Sequence, residues 1–344
     1  MIVCIFWCIF FLIRCLRGNT EPRVIRLLVC FFAVAAILYI DHWLFFSGIV
    51  TTAGEWSYGV ANLSVYPLYY AYLIALTRAK RNWEVPVLLI PALAAVALFP
   101  IGRYTGLMTD TDTFLFVRIC FAIQVVWVLV RGYQVLIYTI RRMDDTYSDD
   151  RSRLLRPTYI SLILFGLTSV VSIVLNIIGR DYFTHQTMVL LPATVMVILL
   201  YGLGYVAAHT IIPPETVTDE IHSEDTSTAE EVKVLIHKID TLMQQQRLYT
   251  YPNLTIQDLA VAVGSNRTYV SNAINRTYHI SFSQYVANQR VSYAQSILRD
   301  TCYTTDKAAV TDAITRSGFT SEQTFYRVFK EITGLTPLAY RKKQ

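Results

Sequence analysis

Near the C-terminus, the stretch GFTSEQTFYRVFKEITGLTP (318–337) sets Glu322, Gln323, Thr324, Arg327 and Lys330 on one side of a helical pattern. Phe325, Val328, Phe329 and Ile332 fall on the other side, where a core would take them. The outward set mixes carboxylate, amide, hydroxyl, guanidinium and ammonium groups, which together can hydrogen-bond base edges and phosphates. Ser321 is the expected N-cap, or Thr320 with Gln323 as a capping box. Earlier in the chain, SNRTYVSNAINRTY repeats the arrangement: Val270, Ala273 and Ile274 point inward and leave Arg267, Thr268, Ser271 and Asn272 outward. Each of these helices follows a shorter one and a break at glycine. The first brace is announced by Thr255 and stops at Gly264; the second, VTDAITRSGF, stops at Gly318. Helix, tight turn, helix is the spacing at which a second helix can lie in a major groove while the first steadies it.

Between the two units, SFSQYVANQRVSYAQSILRD (281–300) carries Phe282, Tyr285, Val286, Ala294, Ile297 and Leu298 at helical spacing, which predicts one long helix separating two reading heads. Val232, Leu235, Ile236, Ile239, Leu242 and Met243 predict an amphipathic helix ahead of them. Charge sorts the chain into three regimes. Residues 1–208 carry a net +5, residues 209–231 a net −7 with no Lys or Arg, and residues 232–344 a net +7. A basic region holding two tandem helix-turn-helix patterns suits a polyanion. The acidic stretch, rich in Ser and Thr with Pro213-Pro214, cannot bury enough apolar surface to offset its ordering entropy and is expected to be a flexible tether.

The remaining two thirds is apolar enough to raise the whole chain to 54% hydrophobic residues and a mean hydropathy of +0.40. Seven stretches approach the length of about 20 residues that a bilayer crossing needs: 2–13, 25–46, 57–77, 85–101, 114–137, 158–178 and 187–208. Loops after the first, third and fifth hold twelve Lys and Arg, and those after the second, fourth and sixth hold two, Arg103 and Arg180. Because basic residues collect on the cytoplasmic side, this alternation predicts seven spans with the N-terminus outside and the C-terminus inside. The start, MIVCIFWCIFFLI, has no charged n-region and no small-residue cleavage site before Arg14, and reads as a short retained span. Arg118 and Arg131 in the fifth span are expected to snorkel to the interfaces. Asp41, His42, Trp56, Tyr58 and Asn62 gather at one outer end, either lining an outward-facing pocket or forming an ordinary interfacial belt.

Catalysis has little to stand on. No HExxH, GxSxG or Gly-rich phosphate cradle with Lys-Ser/Thr occurs, and His42, His185 and His209 are isolated, so no enzyme, cofactor or metal site is read. The six cysteines form no CxxC pair, and five lie in or beside apolar runs.

Residues 232–343 resemble the AraC-type DNA-binding domain. DLAVAVGSNRTYVSNAI, SFSQYVANQRV and GFTSEQTFYRVFKEITGLTPLAYR match its two helix-turn-helix units, with the GF, F-x-R-x-F-K and G-x-TP-x-x-YR elements intact. The resemblance implies that Arg267, Thr268, Ser271 and Asn272 in the first unit, and Glu322, Gln323, Thr324 and Arg327 in the second, fall where that family reads bases. Asn272 stands where Arg is usual, His279 where Gly is usual, and Ala313-Ile314 reverses the usual Ile-Ala. Asn272 would move the first-site preference from guanine toward adenine. The apolar part resembles, in architecture alone, the membrane-embedded members of the family found in bacteria.

The expected fold is all-α: a polytopic transmembrane helix bundle over 1–208, an acidic linker over 209–231 and a soluble tandem helix-turn-helix domain over 232–344. The expected function is a one-component regulator in the bacterial inner membrane, binding double-stranded promoter DNA from the cytoplasmic face in response to a signal ligand or membrane partner of unknown identity. A homodimer is among the states open to it. The alternatives are a transporter or membrane sensor whose DNA-binding tail is autoregulatory, and a membrane part that only anchors.

Overall fold

The computed structural model describes residues 1–17, 22–47, 53–79, 81–106, 110–148, 155–178, 186–209, 229–300, 303 and 305–343. Among them every regular element is helical, apart from one isolated antiparallel bridge. The all-α expectation holds.

The chain divides into two compact units. The first comprises Met1–Thr139 and Leu154–Pro213, and the second Ile140–Arg153 and Pro214–Gln344.

The first unit contains α1 (Ile2–Leu16), α2 (Pro22–Phe46), α3 (Ala53–Thr77), α4 (Glu84–Thr105), most of α5 (Asp110–Thr146), α6 (Arg156–Ile178) and α7 (Gln186–His209). Sequence neighbours α1/α2, α2/α3, α3/α4 and α6/α7 pack together, and α1 also meets α7. Pro67 sits inside α3, where packing by neighbouring helices makes it tolerable. Aromatic rings fill the middle. Tyr69 stacks on Phe165 with centroids 3.8 Å apart, Tyr66 meets Phe165 at 4.9 Å and Phe121 at 5.1 Å, and the Tyr69 and Ser161 hydroxyls share a 3.0 Å hydrogen bond. Many aliphatic side chains of α4, α5 and α6 point outward, including Ile90, Leu93, Ile123, Val126 and Ile163. Among the described residues, Pro22–Leu44, Ser57–Thr77, Leu115–Thr146 and Arg156–Val174 are long and apolar enough to cross a membrane, while the described apolar parts of α1, α4 and α7 are shorter.

Polar groups inside this unit were not all foreseen. Glu84, expected just outside the fourth span, is buried at 1% exposure, with Arg131 Nη2 2.6 Å and Arg81 Nη1 3.1 Å from Oε1 and the Tyr70 hydroxyl donating to Oε2. Arg131, with 27% of its side chain exposed, thus pairs with the carboxylate that opens α4. Arg118 is exposed. The expected acidic linker lies mostly outside the described residues, and its last three residues, 229–231, already belong to a helix.

The second unit contains α8 (Ala229–Gln246), a short 3-10 turn (Leu248–Thr250), α9 (Ile256–Val263), α10 (Arg267–Tyr278), α11 (Phe282–Arg299), α12 (Asp306–Arg316), α13 (Glu322–Thr333) and α14 (Pro337–Lys342). Its apolar residues form two cores. One gathers Ile236, Ile239, Met243, Leu259, Val263, Val270 and Ile274 with Phe282, Tyr285 and Val286 of α11. The other gathers Val291, Ala294, Ile297 and Leu298 of the same helix with Val310, Phe325, Val328 and Phe329. The long central helix predicted over 281–300 thus supplies one half to each core.

Candidate nucleic-acid interface

Both helix pairs are fixed by their ends. Thr255 caps α9 with a reciprocal box: its Oγ1 accepts from the Asp258 amide at 3.2 Å, and its own amide donates to the Asp258 carboxylate at 2.8 Å. Asn266 caps α10 and Ser321 caps α13, each accepting from the amide three residues on; the Thr320 alternative is not used. Such caps are each worth about 1 kcal/mol and set where the helix begins. They therefore set which side chains lie in its first turn.

On α13, Phe325, Val328 and Phe329 are buried, and Glu322, Gln323 and Lys330 are exposed, with Thr324 and Arg327 half-buried. Arg327 Nη1 lies 3.0 Å from Glu331 one turn on, an ion pair that keeps the guanidinium extended along the helix. Ile332, expected inward, is 40% exposed because the core ends before the last turn. On α10, Val270, Ala273 and Ile274 are buried as expected, and Arg267, Thr268, Ser271 and Asn272 are all half-buried. Asn275 extends that face by one turn, and its amide nitrogen lies 3.4 Å from Ser271 Oγ.

In the turn after α10, His279 has a φ of +56°, a left-handed conformation that costs a non-glycine residue roughly 1–2 kcal/mol. Gly318 has the opposite solution at φ +82°. A Cβ there would come 2.5 Å from the Thr250 carbonyl oxygen, so only glycine lets the second turn seat against the 3-10 segment.

Two polar anchors, Arg290 and Asp240, escaped sequence reading, and a third, Arg341, belongs to the YR element. Arg290, in the middle of α11 and 1% exposed, donates to the Tyr249, Tyr251 and Pro252 carbonyls at 2.7, 2.8 and 3.4 Å and to Ser148 Oγ at 3.2 Å. Asp240 accepts the hydroxyls of Tyr278 and Tyr285, both at 2.6 Å. Burial and the adjoining carboxylate push the Tyr278 phenol up to about 12 and drive Tyr285 higher. Arg341 binds the Leu298 and Asp300 carbonyls at 2.7 and 2.6 Å, tying α14 to the end of α11. Among the described residues, no group of three or more His, Cys, Asp or Glu could hold a metal.

A helix-turn-helix domain family matches residues 247–343. Residues 247–343 are an AraC-type helix-turn-helix domain. The AraC-type domain is 34% identical over 89 residues to the melibiose operon regulatory protein of Escherichia coli K12, a match covering 26% of this chain and 28% of that protein. It is 33% identical over 91 residues to an uncharacterized HTH-type transcriptional regulator, YtdP, of Bacillus subtilis, covering 26% and 11% of the two chains. An uncharacterized HTH-type transcriptional regulator of Staphylococcus aureus is 27% identical over 104 residues, covering 30% and 13%. These matches span less than a third of each relative, and no solved structure gives a significant match. In the AraC-type domain, Tyr340 and Arg341 of the YR element hold α14 onto α11.

Proposed function

We propose that the protein is a one-component transcriptional regulator that is embedded in the bacterial inner membrane through its first unit and reads promoter DNA with α10 and α13. The observation carrying the proposal is α13. Its apolar residues lock into a core while Glu322, Gln323 and Lys330 face outward, in a domain of AraC type with a net positive charge. Arg267, Thr268, Ser271, Asn272, Thr324 and Arg327 complete the base-reading set, and Lys342 and Lys343 meet phosphates. Membrane embedding is supported by the four long apolar helices and by the outward aliphatic surface of α4 to α6. The alternation of basic residues between loops favours all seven helices crossing, with the DNA-reading unit on the cytoplasmic side.

Sensing is assigned to the first unit. Asp41 and Asn62, at 8% and 4% exposure, each keep one buried side-chain polar atom without a hydrogen-bond partner. Such atoms are costly unless something else satisfies them, which makes them the first place to seek a signal molecule.

The test is a genome-wide footprint with purified residues 229–344 beside the full-length protein in membranes. The fragment is expected to be soluble, because its two cores close without the first unit, and to protect specific sites. A fragment folded by circular dichroism that protects no site removes the regulator reading. The transporter reading instead expects uptake of a solute to survive deletion of 230–344.

A further inference from the structure

Helix α5 continues unbroken to Thr146, and its last turns, from Ile140 on, belong to the second compact unit. The two residues beyond its end are docked by backbone and side chain together. Tyr147 forms the antiparallel bridge with Thr255, and the Ser148 amide donates to the Leu254 carbonyl at 3.1 Å. Ser148 Oγ takes one of the bonds from Arg290, and Met143, Tyr147 and Ser148 are all buried. Beside this clamp, the Asp145 carboxylate accepts a hydrogen bond from Asn275 of α10.

Asn275 lies on the same face of α10 as Thr268, Ser271 and Asn272, at positions three, four and seven residues apart. That face has no fully exposed member, whereas at the corresponding α13 positions 323, 326, 327 and 330 two residues, Gln323 and Lys330, are exposed. A side chain fixed there opposes DNA by covering part of the reading surface, while Arg141 and Arg142 balance the charges of Asp144 and Asp145 along the same segment.

We propose that residues 140–148 are an autoinhibitory strap, held at the start of α9 and on Arg290 of α11 by Tyr147 and Ser148 and against the first reading helix by Asp145, which must leave before α10 can enter a major groove. The proposal rests on the DNA-reading function proposed for the second unit. Because the strap is the end of α5, a shift or rotation of α5 in the first unit pulls it directly, without passing through the acidic segment. The second helix-turn-helix stays open throughout, so the undocked and docked states differ in how many heads engage DNA.

The experiment uses full-length protein in membrane vesicles and a promoter site recovered with residues 229–344. In a cysteine-free background, Tyr147→Cys with Thr255→Cys places two thiols across a bridged pair, where Cβ atoms are about 4.5–5.5 Å apart and a disulfide closes readily. A protease site in 215–225 lets a non-reducing gel show the linkage. The oxidised protein is expected to bind the site at least about fivefold more weakly than the same protein reduced, the effect of a single net hydrogen bond's worth of holding. Asp145→Ala and Ser148→Pro, the latter lacking the amide that meets Leu254, are each expected to bind about fivefold more tightly than wild type. Failure of the disulfide to form, equal affinity oxidised and reduced, or no gain in either single variant overturns the strap. A fragment 229–344 that protects no sequence instead removes the DNA reading, and the strap with it.

Discussion

Arg131 Nη2 lies 2.6 Å from Oε1 of Glu84, a carboxylate with no exposed side-chain surface. The pair ties the beginning of α4 to the latter part of α5, and the Tyr70 hydroxyl adds α3. Removing Glu84 leaves Arg131 without its carboxylate; because that side chain stays 27% exposed, the cost falls below the roughly 3–5 kcal/mol of a fully buried pair. Glu84→Gln is expected to lower the thermal midpoint of the detergent-solubilised protein markedly. Glu84→Gln with Arg131→Gln should recover most of that stability, and a double variant as unstable as the single one would contradict the pairing.

Gly318 and Gly334 both adopt positive φ, but only the first is crowded. At Gly334 nothing lies within 4 Å of an added Cβ, so Gly334→Ala is expected to cost only the left-handed strain, about 1–2 kcal/mol. Gly318→Ala adds a collision with the Thr250 carbonyl and should cost about 1–3 kcal/mol more. Urea unfolding of residues 229–344 ranks the two, and equal destabilisation would exclude the close approach.

At α13, Arg327→Ala is expected to weaken the cognate site by about 1–3 kcal/mol and relax one base position, the worth of a bidentate guanine contact. Replacing Lys342 and Lys343 by Ala should weaken every sequence alike and flatten the salt slope by ~0.9 for each phosphate no longer neutralised. Binding-site selection at two salt concentrations separates the two behaviours.

Alkali gives a further handle. Tyr278 has its phenol raised in the fold, so the stability it contributes is complete below the unfolded value near 10 and is lost as pH climbs to about 12. Tyr285 moves in the same direction. The fragment's melting temperature is expected to fall across that window, and Tyr278→Phe should reduce the fall.

The amphipathic helices of the second unit were legible in the sequence because each buries one face against a core, so apolar spacing carries the information. Val270, Ala273 and Ile274, or Phe325, Val328 and Phe329, needed no tertiary knowledge. The start of α8 followed from apolar spacing and six helices of the first unit from length and composition, to within a few residues, but α5 runs nine residues past the expected end at 137, because its last turns are polar and carry no span signal. Arg290 and Glu84 were illegible for the opposite reason. A charged residue amid polar neighbours reads as surface, and it is buried only because acceptors or cations from distant segments converge on it. The bridge between Tyr147 and Thr255 has no local signal at all, since pairing between remote single residues leaves no periodicity.

Helix α11 gives Phe282, Tyr285 and Val286 to one core and Val291, Ala294, Ile297 and Leu298 to the other, with Arg290 fastened at the join. Neither head can melt without stripping packing from a helix the other depends on. The amides near Arg290 should therefore be the last to exchange with solvent hydrogen, and they should do so only when the entire reader unfolds. Two heads that look modular in sequence are, in thermodynamic terms, a single foldon.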